Sequence, residues 1–127
     1  MSELTRIYYN KLVRDNTKDK IEAKGHHCEM RVISDVQEFQ QELLKKIREE
    51  AYSLSMSRSR DDFLKNYADL MIVIESMMVQ LDATTEELKE VREKNLQKKG
   101  AFKKRHFLTW SDDVGYNSEE SPQGIPL

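Results

Sequence analysis

The stretch SDVQEFQQELLKKIREEAYSLSMSRSRDDFLKNYADLMIVIESMMVQL, residues 34–81, decides the fold. Apolar residues recur in it at helical spacing on both sides of a polar interruption, SMSRSRDD, at residues 55–62. The apolar positions before the interruption are Val36, Phe39, Leu43, Ile47, Ala51 and Leu54. Those after it are Phe63, Tyr67, Leu70, Ile74, Met77 and Leu81. The pattern predicts two long amphipathic helices joined by a tight turn, which is a helical hairpin.

Capping residues mark where these two helices should begin. Ser34 with Gln37 three residues later forms a capping box, which predicts the start of the first helix. Asp61 or Asp62 is expected to cap the second, because a carboxylate can accept from the free N–H groups of a first turn. The preceding segment CEMRVIS, residues 28–34, alternates weakly, which favours either a strand or an extended segment, too short to define a sheet.

Two further helices are predicted outside the hairpin. A short one should run from about Asn16 to Gly25, since glycine readily takes the positive φ that ends a helix. Another should begin at the capping box formed by Thr84 and Glu87 and stop at Gly100.

The second long helix is too apolar to be covered by one partner helix. Apolar side chains occupy much of its remaining circumference, at Met71, Ile72, Val73, Met78 and Val79. We therefore expect an all-α fold in which the hairpin forms a four-helix-type bundle, completed by a second subunit in a homodimer or higher homo-oligomer. Residues 1–110 should form this domain, and residues 111–127 a flexible acidic tail.

Composition limits the classes of partner. The 21 basic and 23 acidic residues leave a formal net charge of −2, which gives no overall attraction to nucleic-acid polymers or anionic membranes. Cys28 is the only cysteine, so an intrachain disulfide or a multi-cysteine zinc site is excluded. No apolar run is long enough for a signal peptide or a membrane span. We expect a soluble cytoplasmic protein.

Three carboxylates are the candidates for a metal site. Glu49 and Glu50 are adjacent on the first long helix, and taken alone they favour a solvated acidic face that pairs with Lys45, Lys46 and Arg48. Asp69 lies within the most apolar helix, where an uncompensated carboxylate is costly. Its partner could be a lysine or arginine, Asn66, or a divalent cation shared with Glu49 and Glu50.

Four segments carry a resemblance to a known family. They are YNKLVRD (9–15), KKIREEAYS (45–53), NYADLMIVIE (66–75) and GAFKKRHFL (100–108). Together, and in this order, they resemble the phosphoribosyl-ATP pyrophosphohydrolase-like and MazG-like all-α nucleotide pyrophosphatases. That resemblance implies a helix bearing Glu-Glu-x-x-Glu opposite a helix bearing Glu-x-x-Asp, with the carboxylates holding Mg²⁺.

The chain departs from this pattern at two of its metal-ligand positions. Glu49, Glu50 and Asp69 match and would be its catalytic and metal-binding residues, but Ser53 and Asn66 replace two glutamates. The resemblance also implies phosphate contacts from the basic residues of the matching segments and from one lysine nearby, namely Lys11, Arg14, Lys94 and Arg105. The alternative for each is surface solubility or an ordinary ion pair, which we favour for Lys94, and Arg14 could be structural beside Asp15.

Three functions are consistent with these residues. The first is a Mg²⁺-dependent nucleoside triphosphate pyrophosphohydrolase that releases a nucleoside monophosphate and pyrophosphate, as the resemblance implies. The second is a catalytically impaired protein that binds a nucleotide, suggested by Ser53 and Asn66. The third is a helical protein-interaction module.

Overall fold

The structure, a computed structural model, describes residues 5–112 and contains four α-helices and no strand within that range. These are α1 (Thr17–Ala23), α2 (Val36–Ser55), α3 (Arg60–Gln80) and α4 (Thr85–Lys99). The all-α prediction is confirmed. The strand considered for residues 28–34 does not form, and this segment connects α1 to α2 without regular structure.

The start of α2 differs from the prediction by one residue. Its N-cap is Asp35 rather than Ser34, and the Asp35 carboxylate accepts from the N–H of Gln37 at 3.1 Å. Asp35 has the extended backbone that an N-cap needs, with φ −76° and ψ 118°. Nearby, the Arg31 guanidinium donates to the Glu38 carboxylate, and this hydrogen bond lowers the pKa of Glu38.

The start of α3 also corrects the prediction. Ser59, not Asp61 or Asp62, is the N-cap, and its Oγ accepts from the N–H of Asp62 at 3.1 Å. The Asp62 carboxylate reaches back to the N–H of Arg58 at 3.1 Å. Asp62 is therefore the reciprocal partner in the cap rather than the capping residue itself.

The predicted ends of the two shorter helices are confirmed. Thr84 Oγ1 accepts from the N–H of Glu87 at 3.1 Å at the start of α4, and α4 ends at Lys99. Gly25 and Gly100 follow α1 and α4 with φ of +79° and +76°, a conformation that glycine adopts without the strain imposed by a Cβ.

The core lies between α2 and α3 and is thin. These two helices pack against each other, which confirms the predicted hairpin. Leu43 on α2, 3% exposed, and Val73 on α3, 5% exposed, are the buried hydrophobic side chains of residues 5–112. Many larger apolar side chains of the same helices stay about half-exposed, among them Leu44, Phe63 and Tyr67. The bundle that would cover them stays a prediction.

The chain divides between Leu88 and Lys89 into two compact units. The first contains α1 and the α2–α3 hairpin, and α4 begins in the first and continues into the second. The proposed tail, residues 111–127, lies outside the described residues except for Ser111 and Asp112. None of the helices described is long and apolar enough to cross a membrane.

Candidate functional site

Glu49 lies where the N-terminal segment meets α2. Its Oε2 atom is 2.9 Å from Nζ of Lys46, one turn back on the same helix, and 3.9 Å from Nζ of Lys11. The first contact is the ordinary helical ion pair that was the alternative reading of this acidic face. The second brings a lysine of the YNKLVRD segment onto α2. Glu50 is partly buried and forms no ion pair within residues 5–112.

Asp69 forms an ion pair with a residue of the same YNKLVRD segment. Its Oδ1 atom is 3.6 Å from Nη1 of Arg14. Of the three kinds of partner considered from the sequence, the structure therefore shows a basic side chain, an arginine. The Asp69 side chain is 38% exposed rather than deeply buried, so the desolvation inferred from its apolar neighbours is only partial.

Four of the predicted site residues are thus brought together in two ion pairs, Lys11 with Glu49 and Arg14 with Asp69. We call these the strap pairs, because they hold residues 11–14 against both helices of the hairpin. The nitrogen to oxygen distances are long for charge-assisted hydrogen bonds, and all four side chains are at least about one-third exposed. Exposed pairs of this kind contribute about 0–1 kcal/mol each, so another anion can displace them.

Lys94 and Arg105 lie in the second compact unit. Lys94 is 74% exposed and its Nζ is 3.1 Å from Oε1 of Glu90, the ordinary i, i+4 ion pair that was the favoured alternative. Arg105 is exposed and has a positive φ of 56°. Their predicted phosphate contacts stay predictions.

Ser53 and Asn66, the two positions that depart from the family pattern, are joined directly to each other. Asn66 Nδ2 donates to the carbonyl oxygen of Ser53 at 3.3 Å and to Oγ of Ser57 at 3.0 Å. Ser57 Oγ in turn donates to the carbonyl oxygen of Leu54 at 2.7 Å. This Asn66 clasp ties α3 to the last turn of α2, and it needs an amide that donates both hydrogens.

Replacing Asn66 with aspartate is expected to lower the free energy of unfolding by about 1–2 kcal/mol. A carboxylate has no hydrogen to donate and places an anion against the Ser53 carbonyl oxygen. Urea denaturation followed by circular dichroism measures the change. Gln41→Glu, the same amide-to-carboxylate change at an exposed position of α2, serves as the control and should stay within about 0.5 kcal/mol of the parent. Equal stability of the two variants would contradict the clasp.

The acidic side chains do not converge into a metal-binding group. Within residues 5–112 no three His, Cys, Asp or Glu side chains are arranged to hold one ion together. Glu49 and Asp69 each face a cationic side chain instead. In this arrangement the residues do not fit a Mg²⁺ ion shared by Glu49, Glu50 and Asp69, and that site stays a prediction.

A polar cleft of about 450 Å³ opens beside the second strap pair. We call it the α1 cleft, and its lining residues are Arg14, Asp15, Asn16, Lys20 and Asp69. Lys20 was not identified from the sequence. It lies on α1 in the string KDKIEAK, where three lysines occur within seven residues and no spacing distinguishes one from another.

No protein family, curated protein or solved structure matches the chain. The family resemblance therefore depends on the four sequence segments alone. What the structure adds is the position of the first segment, which lies against the hairpin formed by the second and third.

Proposed function

We propose that this chain binds nucleoside triphosphates as a relative of the all-α nucleotide pyrophosphohydrolases, and that Lys11 and Arg14 are its phosphate contacts. The observation that carries the proposal is the strap pairs, which hold both cations on one hairpin against Glu49 and Asp69. Two cations on one hairpin, each weakly paired, suit a ligand with several negative charges.

The strap pairs are weak enough for phosphate groups to replace Glu49 and Asp69 as partners of the two cations. At 3.9 Å and 3.6 Å, neither is a close hydrogen-bonded contact. A triphosphate offers several anionic oxygens, and an arginine can bind two of them at once, which is stronger than a single exposed ion pair. Binding would therefore replace two weak contacts with stronger ones.

The geometry favours binding over hydrolysis. The Asn66 amide, at one of the two positions where the resembling enzymes carry glutamates, is engaged in the clasp with the Ser53 carbonyl oxygen and Ser57 Oγ. The remaining carboxylates do not form a metal-binding group in the described part of the chain. A second candidate, Mg²⁺-dependent hydrolysis to a nucleoside monophosphate and pyrophosphate, is favoured by one observation. Glu49 and Asp69 are both solvent-accessible, and their strap contacts are loose enough to release.

One experiment separates the two functions. The purified protein is incubated with ribo- and deoxyribonucleoside triphosphates in Mg²⁺, and pyrophosphate release and nucleotide retention on equilibrium dialysis are both measured. We expect retention without release above the background. Release that disappears in Asp69→Asn would instead establish hydrolysis, whereas neither retention nor release would refute both functions and favour an interaction module.

We further propose that a second copy of the chain covers the exposed side of α3 and completes a four-helix bundle. Phe63, Leu64 and Tyr67 are each about half-exposed, and we call them the α3 apolar face. A hairpin with so few buried side chains has little apolar burial to offset its lost conformational entropy. A second copy is the partner whose own α3 apolar face would be covered in return.

Tyr67→Glu is expected to convert the dimer to a monomer, because it places a carboxylate in the apolar contact. Sedimentation velocity at micromolar concentration measures the change. Lys65→Glu is the control, since it lies about 200° from Tyr67 around the α3 axis. It should leave the dimer intact. A parent protein that sediments as a monomer would contradict this assembly.

A further inference from the structure

The lining residues of the α1 cleft indicate which part of a nucleotide would bind there. We propose that it takes the ribose–triphosphate end of a nucleotide, that Lys20 is a further phosphate contact, and that the base stays outside, so that binding is nearly indifferent to the base. This inference depends on the proposed nucleotide binding, and it specifies that the protein contacts the ribose and the phosphates rather than the base.

The cations of the cleft are available to an anion. Arg14 has only the 3.6 Å contact with Asp69, and Lys20 forms no ion pair or side-chain hydrogen bond with another of residues 5–112. Both line the same cleft, Arg14 from the segment before α1 and Lys20 from α1 itself. Two cations that approach one space from separate segments can contact different phosphates of a single chain.

The other lining residues suit hydroxyl groups. Asp15 and Asp69 supply carboxylate acceptors, and Asn16 supplies an amide whose side chain makes no capping hydrogen bond to α1. An inorganic anion alone would leave these carboxylates facing its negative charge. A sugar phosphate carries both hydroxyl donors and phosphates. The hydroxyls match the carboxylates of the lining, and the phosphates match its two cations.

The cleft lacks the apolar lining that usually holds a base. All five lining residues are polar or charged, and none is aromatic or aliphatic. Sites that select a base usually supply an apolar or aromatic face together with hydrogen bonds to its edge. At about 450 Å³ the cleft is within the usual size range of small-ligand sites, which is sufficient for a ribose triphosphate without its base.

The test measures affinities for ATP, GTP, CTP and UTP by calorimetry in buffer with EDTA, together with competition by inorganic tripolyphosphate. We expect the four dissociation constants to agree within about threefold. Tripolyphosphate should displace ATP but bind more weakly than ATP, because it lacks the hydroxyl donors that the carboxylates of the lining can accept. Lys20→Met should weaken binding of all four by about fivefold, the loss of one exposed charge contact. Lys18→Met is the matched control, because Lys18 lies on the same helix outside the cleft lining and is 3.9 Å from Glu22.

The outcomes separate this inference from the proposed function. If the parent protein binds no nucleotide, both are refuted. Three results would refute only the assignment of the cleft while nucleotide binding itself stands. They are dissociation constants that differ by more than about tenfold between the four nucleotides, binding by Lys20→Met as tight as by Lys18→Met, and absence of competition by tripolyphosphate. Circular dichroism of the two exposed lysine variants checks that each remains folded.

Discussion

Leu43→Ala is expected to lower the free energy of unfolding by about 2–5 kcal/mol, the largest stability effect of any single truncation in the hairpin. Leu43 is 3% exposed, and Val73 is the only other buried hydrophobic side chain in residues 5–112. Few other contacts can therefore compensate for the cavity. Since domains of this size are stabilised by only about 5–15 kcal/mol, the variant should be substantially destabilised at physiological temperature.

The neighbouring leucine provides the control for this prediction. Leu44 is the same residue type on the same helix but is 48% exposed, so Leu44→Ala should cost less than half as much as Leu43→Ala. Urea titration of both variants at one protein concentration gives the comparison. Equal losses would show that the packing between α2 and α3 is not the principal core.

Arg14→Met is expected to weaken nucleoside triphosphate binding by roughly 10- to 100-fold. Arg14 belongs to a strap pair and also lines the α1 cleft. Its guanidinium can therefore leave Asp69 and bind the phosphates of a nucleotide in the cleft. A charge-assisted hydrogen bond contributes about 1.5–3 kcal/mol, which corresponds to this range of affinity. Calorimetric titration with ATP measures the change.

The same variant separates a binding role from a structural one. Methionine keeps most of the aliphatic length of arginine, and an ion pair as exposed as that of Arg14 with Asp69 contributes less than about 1 kcal/mol to folding. The melting temperature should therefore change little while the affinity falls. Arg60→Met is the control, since Arg60 is exposed at the start of α3 and pairs with Asp61. Unchanged ATP affinity in Arg14→Met would contradict the role of Arg14 in phosphate binding.

Most of the helical architecture could be predicted because its signals are local. Apolar spacing located α2 and α3, and Gly25 and Gly100 marked helix ends through a conformation that glycine takes easily. The N-caps were harder. Ser34 and Asp35 are both good capping residues, as are Ser59 and Asp61, and only the backbone conformation selects between such neighbours.

The candidate site was predictable as a set of residues but not as a set of contacts. The sequence suggested Lys11, Arg14, Glu49 and Asp69 separately, whereas their pairing depends on how the N-terminal segment crosses the hairpin. Ser53 and Asn66 stood out as substitutions, but a hydrogen bond between residues 13 positions apart cannot be derived from local pattern.

Lys20 was missed for a related reason. It lies among several lysines of a highly charged helix, and only the cleft that forms beside Asp69 distinguishes it. Long-range placement of side chains, rather than their chemical type, was the information that the sequence lacked.

The most direct test of the central claim is calorimetric titration of the unmodified protein with ATP, first in EDTA and then in excess Mg²⁺. If Lys11 and Arg14 hold the phosphates, ATP binds in EDTA, and Mg²⁺ changes the dissociation constant by less than about tenfold. Absence of binding in EDTA, with tight binding that appears only on addition of Mg²⁺, would contradict the account and place a metal ion at the centre of the site.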